Sequence, residues 1–294
     1  MKETIIVTAF IPLGRGEWDV SSRSDEKYFN AFQTWAGISN VLIVYTVPEY
    51  VDRVLEIRKR AGLEEKTQVR EVKNFKLLDP ALYSSIKTAM SNGFANKFRF
   101  YNENPEVTNC DYNYVMMLKY YFVSEVAREY ESNFLMWIDF GFNYTSYYKA
   151  DDLRFHIDLG GHFNDELIHL FIIKKEVDSL PVIEHIKYTD NIFRGAVFFG
   201  RSLKILEFCK YMRDWQINLN FIGLADQDQT IMLLCFRKYP NLIATHYCEM
   251  PYDSMKIVMN KDIPSFPNNS VPAFGRRLQL KAKNIVRKIG YPFR

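Results

Sequence analysis

The residues best placed for chemistry in this chain are acids, arginines and small residues at the ends of strand-like runs. Phe134-Leu135-Met136-Trp137-Ile138 has the length and bulk of a fully buried strand, and it stops at Asp139, with Gly141 two residues later. Ligands of open α/β sheets sit outside the carboxyl ends of the strands, so an acid there can hold a metal ion or a sugar hydroxyl. A glycine beside it lets the backbone approach a ligand closely. The same aspartate would serve equally as a plain loop cap. A second acidic pair, Asp226 and Asp228, precedes the apolar run Ile231-Met232. Asp226 has the position of a helix N-cap, and Asp228 falls in the first turn, where the dipole favours an anion. Capping accounts for one of these acids and not for the Gln227-Asp228-Gln229 run.

The basic candidates are Arg15, in the loop Gly14-Arg15-Gly16-Glu17-Trp18, and Arg23, in Ser21-Ser22-Arg23-Ser24. Two guanidiniums beside a strand end can clamp a diphosphate bidentately, although a solvated loop would carry them too. This loop is neither a dinucleotide fingerprint nor a P-loop. Gly195-Ala196 opens the bulky run Val197-Phe198-Phe199, which lets a ligand's ring lie against the backbone. Lys119 falls near the apolar stripe of a long helix, where a snorkelling lysine is the ordinary outcome. Of the five histidines, only His246 ends a strand-like run; His156, His162, His169 and His185 read as structural or surface residues.

The elements that must position these residues follow from periodicity. Thr4–Phe10, 41–45 and 67–72 read as strands, separated by helices starting at Asp25 and Pro48, which is a parallel βαβ layer. A helix at about 80–91 and a long one at 111–130 precede the strand that ends at Asp139. Short strands are expected near 153–158 and 167–174, then the Phe193–Gly200 strand, a helix from Ser202, a helix that begins at the Asp226 cap and a last strand, 241–246.

Composition sets the limits. The 294 residues are 48% hydrophobic and 25% charged, as in ordinary globular proteins. Four scattered cysteines, without a Cys-x-x-Cys pair, give no zinc set or disulfide framework. No window reaches the ~18 apolar residues of a spanning helix, and the N-terminal run does not read as a signal peptide. A cytoplasmic location is expected. Net charge is +3, but residues 264–294 carry seven bases and no acid, which leaves the first 263 residues at −4. An acidic body argues against a nucleic-acid partner, and the basic tail points to an anionic surface such as the inner face of the cytoplasmic membrane.

The succession of a βαβ half, an acid-ended central strand, a small-residue strand, an Asp-Gln helix start and a late histidine resembles a GT-A glycosyltransferase. Asp228-Gln229-Thr230-Ile231-Met232 is similar to the Asp-Gln-x-Ile-Leu signature of retaining sugar transferases. The HtrL/YibB-like family, found with bacterial surface-polysaccharide genes and regarded as glycosyltransferases, matches more closely. Thr8-Ala9-Phe10, Gly14-Arg15-Gly16 with Trp18, Arg23, Tyr28-Phe29, Val44-Tyr45-Thr46 and Trp137-Ile138-Asp139-Phe140-Gly141 carry that match, over roughly residues 4–250.

The resemblance implies a GT-A-like α/β fold: a mixed, mainly parallel sheet flanked by helices over residues 1–263. A nucleotide-binding half covers about 1–141, an acceptor-side half about 142–263, and the basic tail 264–294. It implies transfer of a sugar from a nucleoside diphosphate donor, with UDP the expected nucleotide, to a surface polysaccharide or lipid-linked acceptor. Thr8, Ala9, Phe10 and Tyr45 would meet the nucleoside, and Arg15 and Arg23 the diphosphate. Asp139 and Gly141 would meet the metal or ribose, and Gly195, Ala196 and Gln229 the donor sugar. Asp228, with Asp226, is the candidate catalytic carboxylate, a general base in an inverting reaction or a stabiliser of positive charge in a retaining one. The metal-binding Asp-x-Asp of GT-A enzymes is here Asp139-Phe140-Gly141, so a manganese or magnesium ion would have Asp139 and His246 as ligands. The missing second carboxylate also fits an alternative, a non-catalytic nucleotide-sugar or glycan-binding module of an assembly complex.

Overall fold

The computed structural model describes residues 3–19, 22–93, 95–100, 102–174, 177, 179–250 and 252–259. The basic tail and its expected membrane contact lie outside the described residues. Residues Met1–Ile263 form one compact unit.

Seven strands form one sheet: β1 (Thr4–Phe10), β2 (Leu42–Thr46), β3 (Thr67–Glu71), β4 (Phe134–Ile138), β5 (Ile168–Ile172), β6 (Phe193–Arg201) and β7 (Ile243–Tyr247). Their order across the sheet is β3-β2-β1-β4-β6-β5-β7. β6 is antiparallel to both neighbours, and every other pairing is parallel. The sheet is therefore mixed, mainly parallel and flanked by helices, as expected from the sequence. The carboxyl ends of β1, β4, β5 and β7 and the amino end of β6 share one edge.

The helices are α1 (Asp25–Trp35), α2 (Val51–Arg60), α3 (Pro80–Ser91), α4 (Pro105–Thr108), α5 (Cys110–Glu129), α6 (Val182–Tyr188), α7 (Ser202–Phe221), α8 (Asp228–Lys238) and α9 (Ser254–Met259). Strand alternation divides the core into two. Ile5, Val7, Leu135 and Trp137 pack with residues of α3, α5, α7 and α8. Ile6, Phe10, Met136 and Ile138 pack with α1, α2 and α9 on the other face. All five residues of β4 are buried, as a strand covered on both faces requires. No described helix is long and apolar enough to cross a membrane.

Two local expectations fail. Residues 153–158 form no strand; their backbone bonds go to the Ser39-Asn40 loop, where Ser39 N–H donates to the Phe155 carbonyl at 2.8 Å. The Asn40 amide donates to the Ile157 carbonyl and its oxygen accepts from Ile157 N–H, at 2.8 and 2.7 Å. Asp226 does not cap α8; Gln227 occupies the N-cap position, and the Asp226 carboxylate is engaged elsewhere.

Candidate active site

At the sheet edge where β4 ends and β6 begins, one buried lysine gathers two of the candidate acids. Lys119, on the sheet-facing side of α5, is 6% exposed. Its Nζ lies 2.9 Å from Asp228 Oδ2 and 3.4 Å from Asp139 Oδ1, and it donates to the Gly195 carbonyl at 3.0 Å. Burial opposes the ammonium charge, but the Asp139 and Asp228 carboxylates outweigh it and hold the lysine above its ordinary range. This lysine does not snorkel; it is the electrostatic centre of the group.

Each acid has a further donor. Trp137 Nε1 donates to Asp139 Oδ1 at 2.6 Å, and the Asp139 backbone N–H donates to the Ala196 carbonyl at 2.8 Å. Tyr120 donates to Asp228 Oδ2 at 3.3 Å, and burial, reinforced by Asp228, pushes its phenol well above the usual range. The acids differ in access. The Asp139 side chain is 40% exposed, whereas that of Asp228 is 3% exposed. Asp139 can meet a ligand from solution, and Asp228 is held in place below it.

Gly195 makes this arrangement possible. A Cβ there would lie 2.5 Å from Asp228 Oδ2, so the glycine admits the carboxylate where a donor sugar was expected. Gly141 behaves similarly: a Cβ would meet the Tyr28 ring at 2.8 Å. That approach brings Tyr28 to the arginines. Arg15, 8% exposed, donates to the Tyr28 hydroxyl at 2.5 Å and lies 4.8 Å over the Tyr112 ring and 5.2 Å over Trp18. Arg23 sits 3.9 Å over Tyr144 and 5.2 Å over Tyr28. Aromatic faces and hydroxyls hold both guanidiniums beside the Asp139–Gly141 turn, where an anionic ligand would gain charge-assisted bonds.

Other candidates are placed elsewhere. Tyr45 is 8% exposed, stacked 4.4 Å from Phe122, and its hydroxyl accepts from Arg70. Phe10 packs among Tyr28, Phe29, Tyr50 and Phe140. Thr8 is fully buried, while Ala9 is half-buried. Asp226 is 1% exposed, with its carboxylate on Arg99 at 3.2 Å and on Gln227 N–H at 2.7 Å; burial raises its pKa and Arg99 opposes that. The half-buried Gln229 follows Asp228 in the first turn of α8.

His246 is not brought to Asp139. It lies on β7, three strands from β4, or about 14 Å at the usual strand spacing. Its ring nitrogen meets His169 at 2.9 Å. A divalent ion needs about six hard oxygen ligands. Here the Lys119 ammonium already bridges Asp139 and Asp228, and among the described residues no group of three or more His, Cys, Asp or Glu could hold a metal. The donor set does not fit a metal cage of the expected kind.

The structure thus places an acid–lysine–acid group at one edge of a mixed α/β sheet, flanked by two ring-bound arginines. The chain belongs to the HtrL_YibB family, described as bacterial proteins of unknown function, whose model matches residues 2–257. It is 29% identical over 263 residues to protein HtrL of Escherichia coli (strain K12), covering 83% of this chain and 87% of that one. Among solved structures, the apo form of mouse xyloside xylosyltransferase 1 has a TM-score of 0.44 at 8% identity, covering 91% of this chain and 99% of that one. The PaToxG glycosyltransferase has a TM-score of 0.37 at 10% identity, covering 99% and 79%.

Proposed function

We propose that this chain is a glycosyltransferase that moves a sugar from a nucleoside diphosphate donor, UDP by family resemblance, to a hydroxyl of a surface glycan or lipid-linked acceptor. The observation that carries the proposal is the adjacency of two charged groups at one sheet edge. The Arg15–Arg23 pair suits a diphosphate, and the Lys119–Asp139–Asp228 group suits a sugar.

In the reaction, the glycosidic bond to phosphate breaks, the diphosphate leaves with the electron pair, and the acceptor oxygen bonds to the anomeric carbon as its proton passes to the departing diphosphate. Arg15 and Arg23 stabilise charge on the departing diphosphate. Asp139 accepts from a ribose or sugar hydroxyl. Asp228 supplies negative charge near the anomeric carbon, and Lys119 fixes both carboxylates. The basic tail supplies contact with an anionic membrane on the cytoplasmic side.

Calorimetric titration of UDP, with and without manganese, tests the site. Binding that manganese leaves unchanged and that weakens in Arg15→Ala supports it; failure to bind UDP, CDP or GDP discards it. Asp228→Asn then separates enzyme from binding module. Loss of transfer with UDP affinity kept assigns it to the reaction, and unchanged turnover removes it.

A further inference from the structure

Large apolar side chains gather beside the site on a surface that the proposed reaction does not use. α7 ends at the site edge of the sheet with Phe221, 89% exposed, followed by Ile222, 60% exposed. The chain then turns inward through Leu224 and Ala225, which are buried, to Asp226 and Asp228. The segment before α4 lies against this turn. Arg99 donates to the Ala225 carbonyl at 2.5 Å and pairs with Asp226, and its neighbour Phe100 is 52% exposed. Phe100 stacks 4.8 Å from Tyr188 of α6, beneath Lys187 at 5.4 Å, and α6 adds Ile183, 42% exposed.

Exposed apolar side chains scattered singly need no explanation, but a gathering of them at one edge of a site does. The charges around it select the partner. Residues 80–102 contain no acid, and of their bases Lys87 and Lys97 are exposed while the buried Arg99 is taken up by Asp226; residues 215–225 are uncharged, and α6 carries Lys187 over Phe100 and Glu184 next to Ile183. Apolar tips with lysines on their flanks suit a lipid surface, where the tips enter the acyl boundary and the ammoniums stay with anionic headgroups.

We infer that the surface formed by Phe221, Ile222, Phe100 and Ile183 docks this protein on an anionic lipid bilayer. Docking there turns the Asp226–Asp228 edge toward the membrane, within reach of a lipid-linked substrate. The lipid-linked substrate rests on the proposed transfer, whereas the docking itself is read as membrane partition without turnover.

The test is flotation of the full-length protein with phosphatidylcholine vesicles containing phosphatidylglycerol. The double variant Phe221→Ser/Ile222→Ser should lose about tenfold or more in partition. Leu203→Ser removes an equally exposed apolar side chain, 67% exposed, at the opposite end of α7, and should bind like the parent. All three side chains are exposed, so melting curves should coincide and exclude misfolding as the cause. Binding of the double variant at the parent level would overturn the inference and leave the tail as the anchor. Equal losses in the Leu203 variant would overturn it as well. A parent that ignores vesicles but self-associates through Phe221, by sedimentation, would make the surface a contact between copies of this chain and overturn the membrane assignment.

Discussion

Gly195 and Asp228 are fitted to each other: the carboxylate fills the space that a side chain at 195 would occupy, 2.5 Å from where a Cβ would stand. The same glycine's carbonyl accepts from Lys119, which also holds Asp228. Backbone, ammonium and carboxylate therefore form one unit, and a methyl group disturbs all three. The carboxylate is too short and too enclosed to swing aside. Gly195→Ala should cost about 1–3 kcal/mol of stability by overpacking and about 100-fold in turnover through displacement of Asp228. Thermal melts and steady-state rates check this, and a variant with parental kcat would detach Asp228 from the reaction.

Lys119 makes a separate prediction about stability. It neutralises Asp228, whose side chain is 3% exposed, inside the core. Lys119→Met keeps the length of the side chain but strands that carboxylate, and should cost about 3–5 kcal/mol. Adding Asp228→Asn removes the stranded charge and should recover much of the loss. Denaturant melts of the two single variants and the double complete the cycle, and additive losses would show that the two residues are not coupled.

The strand that ends at Asp139 is legible in the sequence because burial on both faces leaves a continuous apolar run, Phe134 to Ile138. The placing of Arg15, Arg23 and Asp139 near one another is legible because each follows a strand or an adjoining loop. Lys119 is only half legible. A lysine near an apolar stripe reads as a snorkelling side chain until its partners, 20 and 109 residues away, are known. Tyr28 reads as part of the α1 core stripe, yet its hydroxyl faces Arg15. Asp226 has the local signature of an N-cap, and the buried Arg99 that claims it is 127 residues distant. Residues 153–158 have strand-like composition, but the Asn40 side chain takes both backbone bonds of Ile157 and Ser39 takes the Phe155 carbonyl. Local pattern reports periodicity and caps; it does not report which distant charge completes a buried pair.

The aromatic setting of the arginines predicts how they act. Arg15 is held by the Tyr28 and Tyr112 hydroxyls and rings, so its guanidinium is oriented before any ligand arrives. Arg15→Lys keeps the charge but loses the planar fork and the stacking. UDP affinity should fall about tenfold in Arg15→Lys and further in Arg15→Ala, since charged hydrogen bonds contribute about 1.5–3 kcal/mol. Arg23→Ala should weaken UDP comparably and reduce the salt dependence of binding. Titrations at two ionic strengths measure both effects, and parental affinity in Arg15→Ala would remove the diphosphate from this loop.

The His169–His246 pair predicts an acid-sensitive step in stability. His169 Nε2 lies 3.0 Å from the Asn164 carbonyl, which only accepts, so that nitrogen carries the proton. In the neutral ring Nδ1 is then the acceptor, and His246 Nε2–H donates to it across 2.9 Å. Both rings lie against Phe199. Burial, and then the neighbouring His169, lowers the His246 pKa to about 4 from 6.5. The folded value is below the unfolded one, so the unfolded chain binds the proton more readily between these limits. The contribution to stability is complete above pH 6.5 and is lost as pH falls toward 4, by at most about 3 kcal/mol. Replacing the ring with one that cannot titrate, His246→Phe, should flatten the melting temperature over that interval while leaving an aromatic contact with Phe199. Melting curves from pH 7 to 4 on parent and variant decide it: identical slopes would mean that other groups carry the acid limb.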